Sequence, residues 1–304
     1  ASTTYQIPII IDKDTTTKSS LFTQHGSTCK SCDVVVRGGH TLTKEPDGVL
    51  NDMDSVGNLT IYAGSRLVVP SGTNYTVKNL ILQSVYDSVA SARLEGVVNR
   101  SEGKVIHLKR INNRRWYWFT LPYECRIEDV VFVSGRPAIY GTDWYLKVYD
   151  GASRAATQQA GQWQLYTGTV IQPGTGYILA IEGIDGHANS SLVFPMGGYR
   201  EAENKFVPTF AYGATVSDVE PNHKGWNLVG DPYLDYYQES DLNGLTTGYL
   251  HYDLENATWE QLSDGGSPVP YITIPRNGGY SEYTQRLAGE MDLPPFISYF
   301  VQID

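Results

Sequence analysis

With 304 residues, of which 41% are hydrophobic and 18% charged, the chain can bury a core of its own without cross-links. A net charge of −10 excludes the basic surface that nucleic acid or an anionic membrane requires, and no apolar run approaches the roughly 18 residues that cross a bilayer. The 22 Tyr and 30 Gly, set among Val, Ile, Thr and Trp and interrupted by turn residues at short intervals, predict an all-β fold.

Residues 1–26 read as an N-terminal extension. They hold no charged segment followed by an apolar one, so any export signal is expected to be missing from this sequence. Cys29-Lys30-Ser31-Cys32 follows, a lone C-x-x-C, with the third thiol distant at Cys125. A zinc site would need two more ligands, and only His25 and His40 are near. A thioredoxin-type motif would open a helix, whereas Asp33-Val34-Val35-Val36 reads as a strand. A local Cys29–Cys32 disulfide, or two free thiols, is expected, with no metal and no cofactor.

Residues 27–103 repeat internally. Val34-Val35-Val36-Arg37-Gly38-Gly39-His40-Thr41-Leu42 lies over Leu59-Thr60-Ile61-Tyr62-Ala63-Gly64-Ser65-Arg66-Leu67 at an offset of 25. Asn58-Leu59-Thr60-Ile61 recurs as Asn79-Leu80-Ile81-Leu82 at an offset of 21. Each unit is a short alternating strand, a turn with glycine and a second short strand. A lone unit cannot bury its apolar face, whereas stacked units share one core. A short β-solenoid is predicted, with a β-meander as the alternative. The run Lys104 to Arg115 gathers five cations and reads as a linker and solvated strand edge.

Residues 104–304 carry a longer duplication, with copies at about 112–200 and 222–304. Trp116-Tyr117-Trp118-Phe119-Thr120-Leu121-Pro122-Tyr123 matches Trp226-Asn227-Leu228-Val229-Gly230-Asp231-Pro232-Tyr233. Val148-Tyr149-Asp150 and then Trp163 correspond to His251-Tyr252-Asp253 and Trp259. The closing blocks, Ile171 to Ile181 and Leu293 to Ile303, share Pro, Tyr and alternating apolar positions. A duplicated antiparallel β-sandwich is predicted, with the repeated Trp and Tyr as core anchors and Tyr177 to Ile181 as a strand wet on one face. The best helical candidate is the short stretch Ser281 to Ala288.

These blocks, above all Asp143 to Ala155 and Gly225 to Tyr233, resemble those of large surface or secreted proteins of Bacteroidetes, in which an "N-L-T-I" segment precedes a "W-N-L-x-G-x-P-Y" block. The likeness spans roughly residues 30–304 and implies an extracellular or cell-surface location, with adhesion or glycan contact, and no catalytic residues. It also implies O-glycosylation candidates at Thr15, Ser55 and Ser88, each in an Asp-Ser/Thr-apolar or Asp-Thr-Thr triplet.

Carboxylates are the plentiful catalytic type, and Asp231, Asp235, Glu239 and Asp241 cluster after the second Pro-Tyr element. Their loose recurrence in the first copy fits turn capping better than catalysis. Aromatic faces beside carboxylates suit sugar rings, which makes Asp143, Tyr145, Lys147, Tyr149, Asp235 and Tyr236 the candidate ligand-binding residues. In a strand over 143–149, Trp144, Leu146 and Val148 would face the core, leaving Asp143, Tyr145, Lys147 and Tyr149 outside. Lys147 paired with Asp143 on a solvated sheet is the plainer alternative. The sequence thus reads as a non-enzymatic surface module for a glycan or extracellular protein partner. The alternatives are a fragment of a carbohydrate-active enzyme and a structural spacer.

Overall fold

The computed structural model describes residues 7–17, 32–46, 55–85, 91–112, 116–159, 161–182, 189–196, 223, 225–235, 237–238, 250–253, 258–261, 263–264, 267–268, 271–276, 279–287, 292–293 and 295–302. The chain is mostly β, with parallel and antiparallel sheets and a single α-helix among the described residues.

The N-terminal part is two stacks of parallel strands. Ile9–Ile11, Val34–Val36, Leu59–Ile61 and Thr76–Val85 form one, and Thr15–Thr16, Thr41–Thr43, Arg66–Val68 and Arg93–Glu95 the other. Their registers are the repeat offsets: Val34 stands against Leu59, and Leu59 against Leu80. Alternation does the rest. Val34, Val36, Leu59 and Ile61 are buried in the first stack and Leu42, Leu67 and Leu94 in the second, while their neighbours are partly or wholly exposed. Between the stacks the chain turns at Gly39 and Gly64, equivalent positions with φ of 80° and 83°, a backbone region that favours glycine. Alongside runs a side-chain column: the Asp33 carboxylate accepts from the Asn58 amide at 2.8 Å, and Asn79 Nδ2 donates to Asn58 Oδ1 at 3.0 Å.

Lys104, Lys109 and Arg110 of the basic run lie not in a linker but in the 14-residue strand Asn99–Asn112, which pairs parallel to Thr76–Val85 on one side and antiparallel to Asn189–Met196 on the other, while Arg114 and Arg115 lie outside the described residues. The boundary expected at 103/104 therefore falls inside a strand that joins the two halves.

The duplicated region supplies one eight-stranded antiparallel sheet, in the order Trp163–Leu165, Trp144–Tyr149, Tyr177–Ile181, Tyr117–Phe119, Gly279–Leu287, Tyr271–Arg276, Ser298–Gln302, Trp226–Gly230. The copies use matching ladders. Tyr117, Trp118 and Phe119 oppose Leu179, Ile178 and Tyr177, and Asn227, Leu228 and Val229 oppose Val301, Phe300 and Tyr299. Tyr149 opposes Trp163 as Tyr252 opposes Trp259. The repeated tyrosines Tyr123, Tyr177, Tyr233 and Tyr299 are core residues as expected. The repeated tryptophans Trp116, Trp163 and Trp226 are only half-buried, and Trp118 and Trp144 anchor the interior instead.

Two expectations fail here. Ser281 to Ala288 is not helical, since Gly279–Leu287 is a strand paired with Tyr271–Arg276. Tyr177–Ile181 is buried on both faces, because the sheet is packed on both sides. On one side Phe119 and Trp144 meet Phe194 at ring separations of 4.9 and 5.8 Å, and the Tyr123 hydroxyl donates to the Phe194 carbonyl at 2.8 Å. One continuous core thereby runs from Ile9 to Phe296. On the other side Trp118, Leu228 and Ile297 form a second cluster with Tyr149, Trp163 and Phe300.

Candidate functional site

The strand Trp144–Tyr149 alternates as its sequence predicts: Trp144 and Leu146 are fully buried, and Tyr145, Lys147 and Tyr149 point to the opposite face. Trp144 is fixed further by its indole N–H, which donates to the Ala138 carbonyl at 3.0 Å. What covers the opposite face differs along its length.

At the C-terminal end, Tyr149 is a packing residue. Its ring lies 5.0 Å from Trp163 and 4.7 Å from Phe300, both edge-on, and Arg154 donates to its hydroxyl at 3.0 Å. Burial raises its pKa, against the favourable charge of Arg154. Arg154 also lies over Trp226 at 4.5 Å. The guanidinium comes from a short helix, Gly151–Thr157 (α1). Asp150 caps α1 by accepting from Ser153 N at 2.8 Å and Ser153 Oγ at 2.7 Å, bonds that hold its carboxyl below the usual range. Gly151 must be glycine, because a Cβ there would collide with the Trp226 carbonyl oxygen.

At the N-terminal end, Asp143 is also structural. It is 9% exposed and accepts from the Ile139 amide at 2.8 Å and from Arg136 at 3.5 Å. It therefore does not pair with Lys147, whose ammonium sits 4.6 Å over the Trp116 ring.

Between these ends is a patch of different character. Tyr145 stands opposite Ala180, and continuing the Tyr117–Leu179 register by one residue places Trp116 on the other flank of Ala180. Two half-buried rings therefore flank a small residue across two strand spacings, about 9.6 Å. The Tyr145 hydroxyl makes only a long 3.5 Å bond to the Thr142 carbonyl. Sequence reasoning placed Trp116 in the core; the signal against that was Tyr117 and Phe119, whose inward alternation turns Trp116 outward.

The other candidates lie elsewhere. Asp235 is held between arginines, 2.7 Å from Arg66 and 3.8 Å from Arg93, with Arg66 also paired to Glu95. Next to it, Leu94 N donates to the Leu234 carbonyl at 2.7 Å, so the block after the second Trp caps the Arg93–Glu95 strand. Asp231 is fully buried and accepts from Tyr233 N at 2.7 Å. Cys32 is disulfide-bonded, and Cys125 is a free buried thiol whose pKa burial pushes up to about 12. Thr15 is half-buried in the strand Thr15–Thr16, beside an exposed Asp14 that accepts from Thr41 N at 2.9 Å. Ser55 lies in the strand Ser55–Val56. Tyr236, Cys29 and Ser88 lie outside the described residues.

A half-open cleft of about 660 Å³ opens between Arg126–Glu128, Pro137–Tyr140 and Gly168–Val170. Its walls are mainly apolar, and its two charges, Arg126 and Glu128, pair with each other. Among the described residues no group of three or more His, Cys, Asp or Glu is placed to hold a metal, and no helix is long and apolar enough to cross a membrane. No protein-family model, curated protein or solved structure matches this chain.

Proposed function

We propose that the chain is a non-enzymatic, secreted or cell-surface module that binds a glycan on the outer face of its eight-stranded sheet. In this reading the parallel stacks are a short solenoid that carries a sandwich made by the duplicated sheet closing on itself. The observation that carries the binding reading is the Tyr145–Ala180–Trp116 patch, with Lys147 beside it. A sugar offers polarised C–H bonds to the faces of aromatic rings and hydroxyls to nearby polar groups. Ala180 itself is buried between the two half-buried rings, so a sugar would lie across their exposed faces.

Two further observations support the reading. Of the carboxylates clustered after the second Pro-Tyr element, Asp231 accepts from the Tyr233 amide and Asp235 is paired with Arg66, while Glu239 and Asp241 lie outside the described residues. The disulfide at Cys32 suits the oxidising surroundings of an exported protein.

A glycan-array screen, followed by titration of the best ligand, tests the proposal. Trp116→Ala and Tyr145→Ala should each weaken binding about tenfold, as expected of stacking rings, with little change in melting temperature. Undiminished binding by both folded variants would remove this face as the site. Release of reducing sugar from the ligand would replace the reading with an enzymatic one.

A further inference from the structure

Resting on the glycan reading of this same face, we infer that the patch selects saccharides bearing a carboxylate, of the uronic-acid type, and that Lys147 is the residue that selects them. Lys147 stands apart from the other cations of the region. Arg136 is engaged by Asp143, and Arg154 by Tyr149 and Trp226. Lys147 has an aromatic face beneath it and no carboxylate partner in any ion pair among the described residues.

The acidic groups around it are committed or distant. Asp143 accepts from Ile139 N and Arg136, and Asp150 accepts from Ser153 and Gln164. Glu182 shares the face with Ala180 but stands at the level of Asp143, since its amide donates to the Asp143 carbonyl. That backbone level is four residues along the strand from the one where Lys147 opposes Ile178, and no ion pair joins the two side chains. Among the described residues, the cation beside the two rings therefore has no carboxylate in contact with it, and in the proposed complex an anion of the ligand takes that place.

Geometry gives the ligand a direction. A sugar ring stacked across the exposed faces of Tyr145 and Trp116 brings a substituent on one edge to Lys147 and the opposite edge toward Glu182. A carboxylate is favoured at the first and repelled at the second. The ammonium ends a flexible four-carbon stem, so it can leave the indole face for a carboxylate while the ring stays available for stacking. The face is half-exposed, so charge adds selectivity of a few-fold to about tenfold, and salt screens it.

The test compares tetragalacturonic acid with its methyl ester, which keeps the rings and removes the charges, in titrations of the whole chain. Wild type should bind the acid about five- to tenfold more tightly, and the margin should shrink as ionic strength rises. Lys147→Gln should erase the margin and leave ester binding within about twofold. Trp116→Ala should weaken both, with melting temperature confirming that each variant is folded. Equal wild-type affinity for acid and ester, or a margin that survives Lys147→Gln, overturns the selectivity and leaves the glycan reading standing. Failure of both probes to bind, with a neutral glycan bound on the array, overturns the selectivity alone. Failure of every glycan overturns both.

Discussion

Phe300 joins the two copies of the repeat, and its removal is a direct test of that packing. Its ring meets Trp118 at 5.2 Å, Tyr149 at 4.7 Å, Trp226 at 5.8 Å and Trp163 at 5.8 Å, and it is itself half-buried. Full burial of such a side chain is worth about 1.5–3 kcal/mol, so Phe300→Ala forfeits roughly 1 kcal/mol of transfer free energy. The three edge-on pairs add about 0.5 kcal/mol each, bringing the loss to about 2.5 kcal/mol. For a cooperative unit of this size that lowers the melting temperature by about 4 °C. Scanning calorimetry reads the shift, and a double-mutant cycle with Tyr149→Ala isolates one ring pair at about 0.5–1 kcal/mol. A shift below about 1 °C, or additivity of the two mutations within about 0.3 kcal/mol, would refute the packing described here.

Asp235→Asn should cost about 1–2 kcal/mol by loosening its hold on Arg66 and Arg93, less at high salt, and should speed hydrogen exchange at the Leu94 amide. Unchanged exchange there would mean that the ion pairs do not hold the cap. Above pH 9 stability should fall: the unfolded Cys125 thiol ionises near 9.0, whereas the folded one keeps its proton until about 12. The contribution is whole below pH 9 and drains at about 1.4 kcal/mol per pH unit above it, so denaturant titrations of Cys125→Ala should show a shallower alkaline decline than wild type. Asp150→Ala should remove the cap of α1 and about 1 kcal/mol at neutral pH. Because the folded Asp150 carboxyl titrates below its ordinary value, that difference should close as the pH falls through it, which thermal melts at pH 7 and pH 3 would show.

What was legible in the sequence was whatever repeats. Offsets of 25 and 21 became strand registers because stacked parallel strands must align equivalent residues. The duplicated Trp–Pro–Tyr blocks became matching ladders for the same reason. Facing along Trp144–Tyr149 was legible too, since period two leaves little choice. What covers a face was not. Nothing in Tyr149 distinguishes a ring packed under Phe300 from one open to water, because Phe300 lies far away in the sequence. Asp143 and Lys147 share a face, but four residues of strand separate their backbones by roughly 13 Å, and the Ile139 amide and Arg136 claim the carboxylate. The helix escaped notice because seven residues hold too little apolar periodicity, although Asp150 before an Ala-rich stretch is a start signal. Ser281 to Ala288 misled in the opposite direction, its weak helical preference overruled by pairing with Tyr271–Arg276.

The cap on the parallel stack also sets an order of events during synthesis. The Arg93–Glu95 strand emerges from the ribosome early, with its outer edge unpaired, and Asp235 follows Arg66 by 169 residues. At about 5–20 residues per second that interval lasts roughly 10–30 s, during which a row of amides and carbonyls is available to any passing strand. A chain cut short before Leu234 would keep that edge open for good. Truncation from the C-terminus should therefore yield not a smaller soluble protein but one prone to join its neighbours edge to edge.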